Sequence, residues 1–485
     1  MGRLRRLAEA TPAGRDRYVD LLRALAIVLV VLGHWAVATI GYDATGRPTA
    51  RSALPDLPWA YPLTWAVQVM PVFFLVGGYA NAASLTAHRR RGGDGTGWLL
   101  GRSARLLRPT SVLVLVLTLG ALAARLLGAE PSLIRTVVWF ATIPLWFLAA
   151  YLVVVPLTPV MYALHRRYGL LVAVALALLV ALGDLGRALG PAEAALPNYL
   201  FGWLAVHQLG FAWYDTRREP PSGAAGTPPG GPTARVRTRR LPLSRRAGWT
   251  ALLGGLGVAV LLTGPGPYPV SMINIPGERL DNAAPPSLAL LAVTTAQLGL
   301  ILLLRGPAQR WLRRDRPWMA VIAVNAVVLT VFLWHLSAAI LAVGGLDALG
   351  RLPTPPAGSA AWLAWRIPWV LLLAVVLAVL VAAFGPVEAR TGRPPAARVP
   401  EPAGGDGSGT PEGGPGHARP GRDRATVRTA LTAAGFAAVV YALVDNAVTP
   451  RGAPEPVGLP VPALAAYLVG AGTLRLLRSG WGSRG

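Results

Sequence analysis

Cysteine is absent from the 485-residue sequence, which removes disulfides, thiolate nucleophiles and cysteine metal sites together. Lysine is absent as well, so all 46 basic residues are arginine. Alongside abundant alanine, glycine and proline, this reads as the coding bias of a GC-rich genome and carries no function. Charge of any kind is scarce, at 14% of residues, where an ordinary soluble domain has about a quarter. A chain with so little charge and 53% hydrophobic residues could not present a water-facing surface over its whole length. Acids are the scarcer sign, 22 against 46, for a net charge of +24. That excess suggests nucleic acid at first sight. The arginines, however, lie between apolar blocks, where they set membrane topology, so no nucleic-acid partner is expected.

Long apolar runs are what the sequence has in quantity. Blocks such as VDLLRALAIVLVVLGHWAVATIG and VLVLVLTLGALAARLLG reach about 20 residues, enough to cross a hydrocarbon core of about 30 Å. Twelve spans are expected, at 19–41, 60–85, 110–128, 137–163, 169–186, 198–214, 248–264, 285–304, 319–342, 362–385, 426–446 and 459–474. The fold class is all-α, a polytopic transmembrane helical bundle in which ten core spans precede two C-terminal ones. Residues 1–18 form a basic tail, and the apolar run after it is too long for a cleaved signal, so it reads as a retained helix. Arginines concentrate in that tail, in loops 87–109, 164–168, 215–247, 305–318 and 386–425, and at the C-terminus; the alternate loops hold few. This asymmetry puts both termini in the cytoplasm of a multi-pass plasma-membrane protein. Segments 219–247 and 386–425 are rich in Pro, Gly and Arg without apolar period, a composition that reads as disordered. The organisation expected is therefore a membrane domain at 19–385, a linker at 386–425 and an appended helix pair within 426–485. No internal repeat is visible, which weakens a transporter built from inverted halves.

Ionisable groups within a bilayer are costly, at about 2.5–3.5 kcal/mol at a helix centre on insertion scales, so each needs a reason. Arg23 and His34 share the first span, 11 residues apart. That is close to three helical turns, about 16 Å along one face, and favours one cavity holding both over a snorkelling arginine and an unrelated packing histidine. Arg102, Arg105 and Arg108 recur every three residues in GRSARLLRPT. They read as a basic stripe that either anchors topology or clamps phosphates with its guanidinium forks. Tyr79 and Asn81 follow two glycines in the second span, where small residues usually mark close helix packing. Trp146 and Tyr151 in the fourth span serve as interfacial anchors or as cavity walls. His207 and Gln208 in the sixth span and Trp334 and His335 in the ninth are further buried polar candidates, with His207 read as structural. His34 and His335 both fall in the outer third of their spans, so His335 and Trp334 are expected beside His34.

The blocks VDLLRALAIVLVVLGHW, FFLVGGYANAASL, RSARLLRPT, LWFLAAYLVVVPLTP, NYLFGWLAVHQLGFAW, MINIPGERLDNAAPPS and VFLWHLSA stand in the order found in the acyltransferase family 3 membrane proteins. The chain resembles that family over about residues 17–385. The family includes bacterial O-acetyltransferases acting on surface polysaccharides, peptidoglycan and antibiotic sugars. The resemblance implies transfer of an acyl group, usually acetyl, from cytoplasmic acyl-CoA to a carbohydrate, lipid-linked or small-molecule acceptor. Acetyl-CoA would be a donor substrate and no cofactor or metal would be permanently bound. It maps a catalytic arginine and histidine onto Arg23 and His34; by their position in the spans, His335 joins the catalytic set and Tyr79, Asn81, Trp146 and Trp334 are expected in the substrate cavity. The family's paired arginines fall on Arg102 and Arg105 or on Arg105 and Arg108. Two positions depart from the family pattern: Pro109 follows Arg108 directly, and Gly77 stands where many members have serine.

Three rival readings remain. A proton-coupled transporter or flippase would want carboxylates deep in the membrane, whereas Asp20, Asp184 and Asp445 lie near span ends. A glycosyltransferase using lipid-linked sugars would want metal-binding acids in the first outer loop, and Asp43 and Asp56 are 13 residues apart. A catalytically inactive scaffold would share every feature above.

Overall fold

Asp16 opens the bundle. Its carboxylate accepts a hydrogen bond from Tyr18 N at 3.0 Å, capping the helix Arg17–Val37 (α1) that the first apolar block forms. The computed structural model describes residue 9 and residues 15–44, 46–217, 241–391 and 422–479. After α1 the chain makes an antiparallel hairpin, β1 (Ala38–Tyr42) and β2 (Pro48–Ser52), with Ala38 opposite Ser52. Arg366 closes the end of α1: its guanidinium donates to Ala38 O at 2.7 Å and lies over the Trp362 ring. A cation there meets carbonyls that have no partner within the helix.

The longer helices that follow are α2 (Met70–Arg90), α3 (Gly95–Leu126), α4 (Pro131–Thr142), α5 (Leu145–Tyr168), α6 (Leu171–Leu189), α7 (Asn198–Thr216) and α8 (Arg245–Thr263). Then come α9 (Leu288–Trp311), α10 (Asp315–Ala326), α11 (Val328–Ala348), α12 (Ala360–Thr391), α13 (Arg422–Val448) and α14 (Val461–Arg478). The architecture is an all-α polytopic bundle, and ten helices among the described residues are long and apolar enough to span a bilayer. The expected spans 198–214 and 459–474 form α7 and α14, which are not among those ten. α7 is packed by α2, α5 and α6 and buries Asn198, His207 and Gln208. A helix walled by protein has no need of an all-round apolar surface. α14 ends in Arg475 and Arg478, which lower its apolar character.

Two expected spans are each broken in two. The stretch 137–163 is interrupted at Pro144, which caps α5, so α4 is a separate 12-residue helix. The stretch 319–342 is interrupted at Val327, between α10 and α11. Glu388 of α12 covers that break: its carboxylate accepts from Leu329 N, Thr330 N and the Thr330 hydroxyl at 2.7–3.0 Å. The freed amides at the start of α11 thus meet a negative charge.

Glycines set the closest helix approach. A Cβ added to Gly78 of α2 would lie 2.2 Å from His207 O, and one added to Gly210 of α7 would lie 2.2 Å from Leu75 O. Backbone therefore meets backbone where α2 crosses α7. The long connection after α8 is pinned by its own amides. Asn282 donates to Pro269 O and Ser271 O, while Gln68 and Thr64 hold Met272.

The C-terminal pair, expected as an appendage, is tied into the bundle by a wholly buried arginine. Arg135 of α4 donates to Asn446 Oδ1, Asn446 O and Thr449 O at 2.7–2.8 Å, and to Gly458 O at 3.3 Å. Tyr467 of α14 meets Ser111 of α3 at 2.9 Å. Of the two segments expected as disordered, residues 218–240 and 392–421 lie outside the described residues. Residues 386–391 continue α12, and 245–247 and 422–425 begin α8 and α13.

Candidate active site

α1 and α11 carry the histidines, and the two side chains meet. His34 Nδ1 lies 2.8 Å from His335 Nε2, with the rings stacked at 5.1 Å between centroids and 18° between planes. Trp35 ties the same two helices, donating from Nε1 to His335 O at 3.0 Å. His335 is fully buried and its Nδ1 lies 2.6 Å from Phe332 O. A carbonyl only accepts, so His335 Nδ1 carries the proton and, in the neutral ring, Nε2 is an acceptor. His34 Nδ1 must then be the donor of the pair, which leaves the lone pair of neutral His34 on Nε2. His34 remains exposed, so that nitrogen is the one free to act.

A second polar chain is built from α2, α3 and α7. Asn81 is wholly buried; its Oδ1 accepts from Arg102, and its amide nitrogen lies 3.1 Å from His207 Nε2. Arginine can only donate, which fixes the amide orientation and makes His207 Nε2 an acceptor. His207 Nδ1 and Arg102 Nε are buried without a hydrogen-bond partner. Tyr151, Arg105 and Arg23 supply the electrostatic environment of Arg102. Arg23 is held by Asp20 at 2.8 Å, and Asp20 also pairs with Arg15. A cationic group of Arg23, Arg102 and Arg105 thus stands at the end of the bundle where α1 and α3 begin.

Arg108 is not part of that group. Steps of three residues fall short of a full turn, so by the third arginine the stripe has rotated by about 120°. Arg108 faces a cleft that it shares with Arg475 and Arg478 of α14. Aromatic rings join the two polar sites. Phe332 packs edge-on to Phe147 at 5.5 Å, and Phe147 stacks with Tyr151 at 6.3 Å. Trp146 is half-buried against the Phe147 ring. A Cβ on Gly77 would meet the Tyr151 ring at 3.0 Å, so that ring occupies the space a serine side chain would need.

Trp334 is placed differently from the expectation that it lines the cavity beside His34, and Tyr79, expected in the substrate cavity, packs away from the histidine pair. Tyr79 packs on Trp213 and Tyr214, and its charged surroundings are Asp16 and Arg217. Trp334 stacks on Phe384 of α12, with centroids 4.1 Å apart and planes within 3°. One residue on a helix is about 100°, enough to direct His335 inward and Trp334 into the neighbouring helix. The sequence reading missed Arg217 and Arg305, whose charged neighbours are Asp16 and each other and which adjoin Tyr79. No spacing rule links them, because they come from the ends of α7 and α9. His207, read from the sequence as structural, is tied to Arg102 through Asn81; the signal for that was two buried polar residues, Asn81 and His207, on two glycine-bearing helices.

A family model described as an acyltransferase domain matches residues 16–385. No curated protein and no solved structure matches the chain.

Proposed function

The chain belongs to acyltransferase family 3 and is a multi-pass membrane acyltransferase, and on that premise we propose that it moves an acetyl group from acetyl-CoA to a hydroxyl. The acceptor class is a carbohydrate, lipid-linked or small-molecule alcohol. The observation that carries this reading is the bare Nε2 of His34, fixed by the chain Phe332 O, His335, His34.

The donor enters from the cytoplasmic face, and its phosphates are gathered by Arg23, Arg102 and Arg105. Arginine forks suit phosphate oxygens, and the unpartnered Arg102 Nε gives one donor still free. The three turns of α1 between Arg23 and His34 are about 16 Å, a reach comparable with the pantetheine arm. At the inner end, His34 Nε2 takes the acceptor hydroxyl proton as the oxygen attacks the thioester carbonyl. The carbon–sulfur bond then breaks and the proton passes to the departing thiolate. His335 accepts from His34 Nδ1 throughout, so the imidazolium formed in the transition state stays hydrogen-bonded and oriented, as the third member of a triad does for its histidine. The same lone pair could instead attack the thioester itself and carry the acetyl group covalently.

The test is acetyl transfer from labelled acetyl-CoA and CoA binding, both measured on purified His34→Ala. We expect CoA binding to persist and transfer to fall by about 10²–10⁴, the range for a lost general base. Transfer at the native rate would remove His34 from the chemistry. An acetyl adduct trapped on His34 in the native protein would select the covalent route.

A further inference from the structure

We propose that the cleft between α3, α12 and α14 binds the phosphodiester headgroup of an anionic phospholipid. The cleft has a volume of about 360 Å³, inside the range of about 300–1,000 Å³ in which small-molecule sites fall. Arg108 enters from α3, and Arg475 and Arg478 enter from α14. No guanidinium of the three makes a hydrogen bond or ion pair among the described residues. The charges that act on Arg478 are the other two arginines, with no acid beside them. Converging cations without a counter-ion repel one another, and an anion set among them would turn that repulsion into attraction.

The geometry favours a lipid over a free anion. Leu107, Val112 and Leu474 line the cleft beside the arginines, so a ligand there meets cationic forks and apolar walls together. The cleft lies at the last turns of α12 and α14, with Val387 near the end of one and Arg478 ending the other. Helix ends mark the headgroup level of a bilayer. Basic pockets between transmembrane helices on the arginine-rich side are suited to anionic headgroups. Val387, Leu474, Arg475 and Arg478 lie beyond residue 385, where the acyltransferase domain ends. The appended helix pair thus supplies two of the three arginines of a site that the acyltransferase domain alone would not form.

The test uses the delipidated full chain, with lipid binding counted by native mass spectrometry; it requires no turnover and is independent of the acetyl-transfer reading. The chain should bind phosphatidylglycerol at least tenfold more tightly than phosphatidylcholine. Arg475→Gln with Arg478→Gln should reduce that preference at least fivefold, while Arg475→Lys with Arg478→Lys keeps part of it. If the glutamine pair does not fold, Arg108→Gln on α3 should read the same loss. No preference in the native chain, or a preference that survives Arg108→Gln and the glutamine pair, overturns the proposal. So does sn-glycerol 3-phosphate binding as tightly as the lipid, which would make this a free-phosphate site. CoA displacing the lipid would assign the cleft to the donor and also overturns it.

Discussion

A histidine serves as a base only when one ring nitrogen offers a lone pair to the substrate and the other is held. His34 meets this condition through a bond to His335, 301 positions away in the sequence. Both residues were legible as polar groups at similar depth in their spans, but the bond between them depends on which face of α11 turns inward. Trp334 shows how narrow that margin is, since a single position sends it onto Phe384. The arginines behave likewise. Their spacing announced a stripe, yet Arg102 points to Asn81 while Arg108 points to α14. Arg105, exposed and close enough to act electrostatically on Arg102, gives a residue-scale prediction. Arg105→Ala should raise KM for acetyl-CoA about tenfold, the effect of one charged hydrogen bond of about 1.5 kcal/mol. It should leave kcat within about twofold, because a phosphate contact far from the reacting carbon is made equally in ground and transition states. Steady-state kinetics on the purified variant checks both, and an unchanged KM would return the residue to a role in topology alone.

At the scale of elements, apolar periodicity locates helices well but cannot see a break inside a long run. α4 and α5 read as one span, as did α10 and α11, because apolar residues continue across both interruptions. Their causes are tertiary: a proline whose effect depends on where the chain can turn, and Glu388 reaching from another helix to cover exposed amides. Arg135 is the same kind of event. By sequence it sits in a short connection among the few arginines on its side, with nothing to distinguish it from an interfacial anchor. In the structure it gathers the carbonyls that end α13 and approach α14. Removing it leaves several buried acceptors unmatched, at about 1–3 kcal/mol each. Arg135→Met, which keeps the aliphatic bulk, should therefore loosen α13 and α14 by more than about 3 kcal/mol while α1 to α12 hold together. Limited proteolysis in detergent checks this: cleavage in the connection 449–460 should be faster in the variant than in the native protein. A protease pattern identical to the native one would mean that packing of α13 on α5, rather than Arg135, holds the pair.

For the whole molecule, the most informative part of the sequence was what it lacked, because so little charge left arginine placement as the main signal. The all-α bundle followed from that composition and the apolar runs, while the separation of two basic groups, one against α1 and one against α14, did not. Helix directions show the former's position directly: α1 and α3 begin, and α2, α5, α7 and α9 end, on the same side of the bundle as Arg23 and Arg102. Entry of a CoA donor at these arginines requires that side to be cytoplasmic, since acyl-CoA is made and kept there. Topology therefore tests function as well as fold. Reporters fused at residues 230 and 410, within connections whose flanking helices end on the arginine-rich side, should read cytoplasmic. A reporter at residue 275, in the connection pinned by Asn282 and Gln68, should read external, as the positive-inside bias requires. An inverted result would place Arg23, Arg102 and Arg105 away from the donor pool. It would leave His34 without an acyl group to transfer, however well its tautomer is fixed.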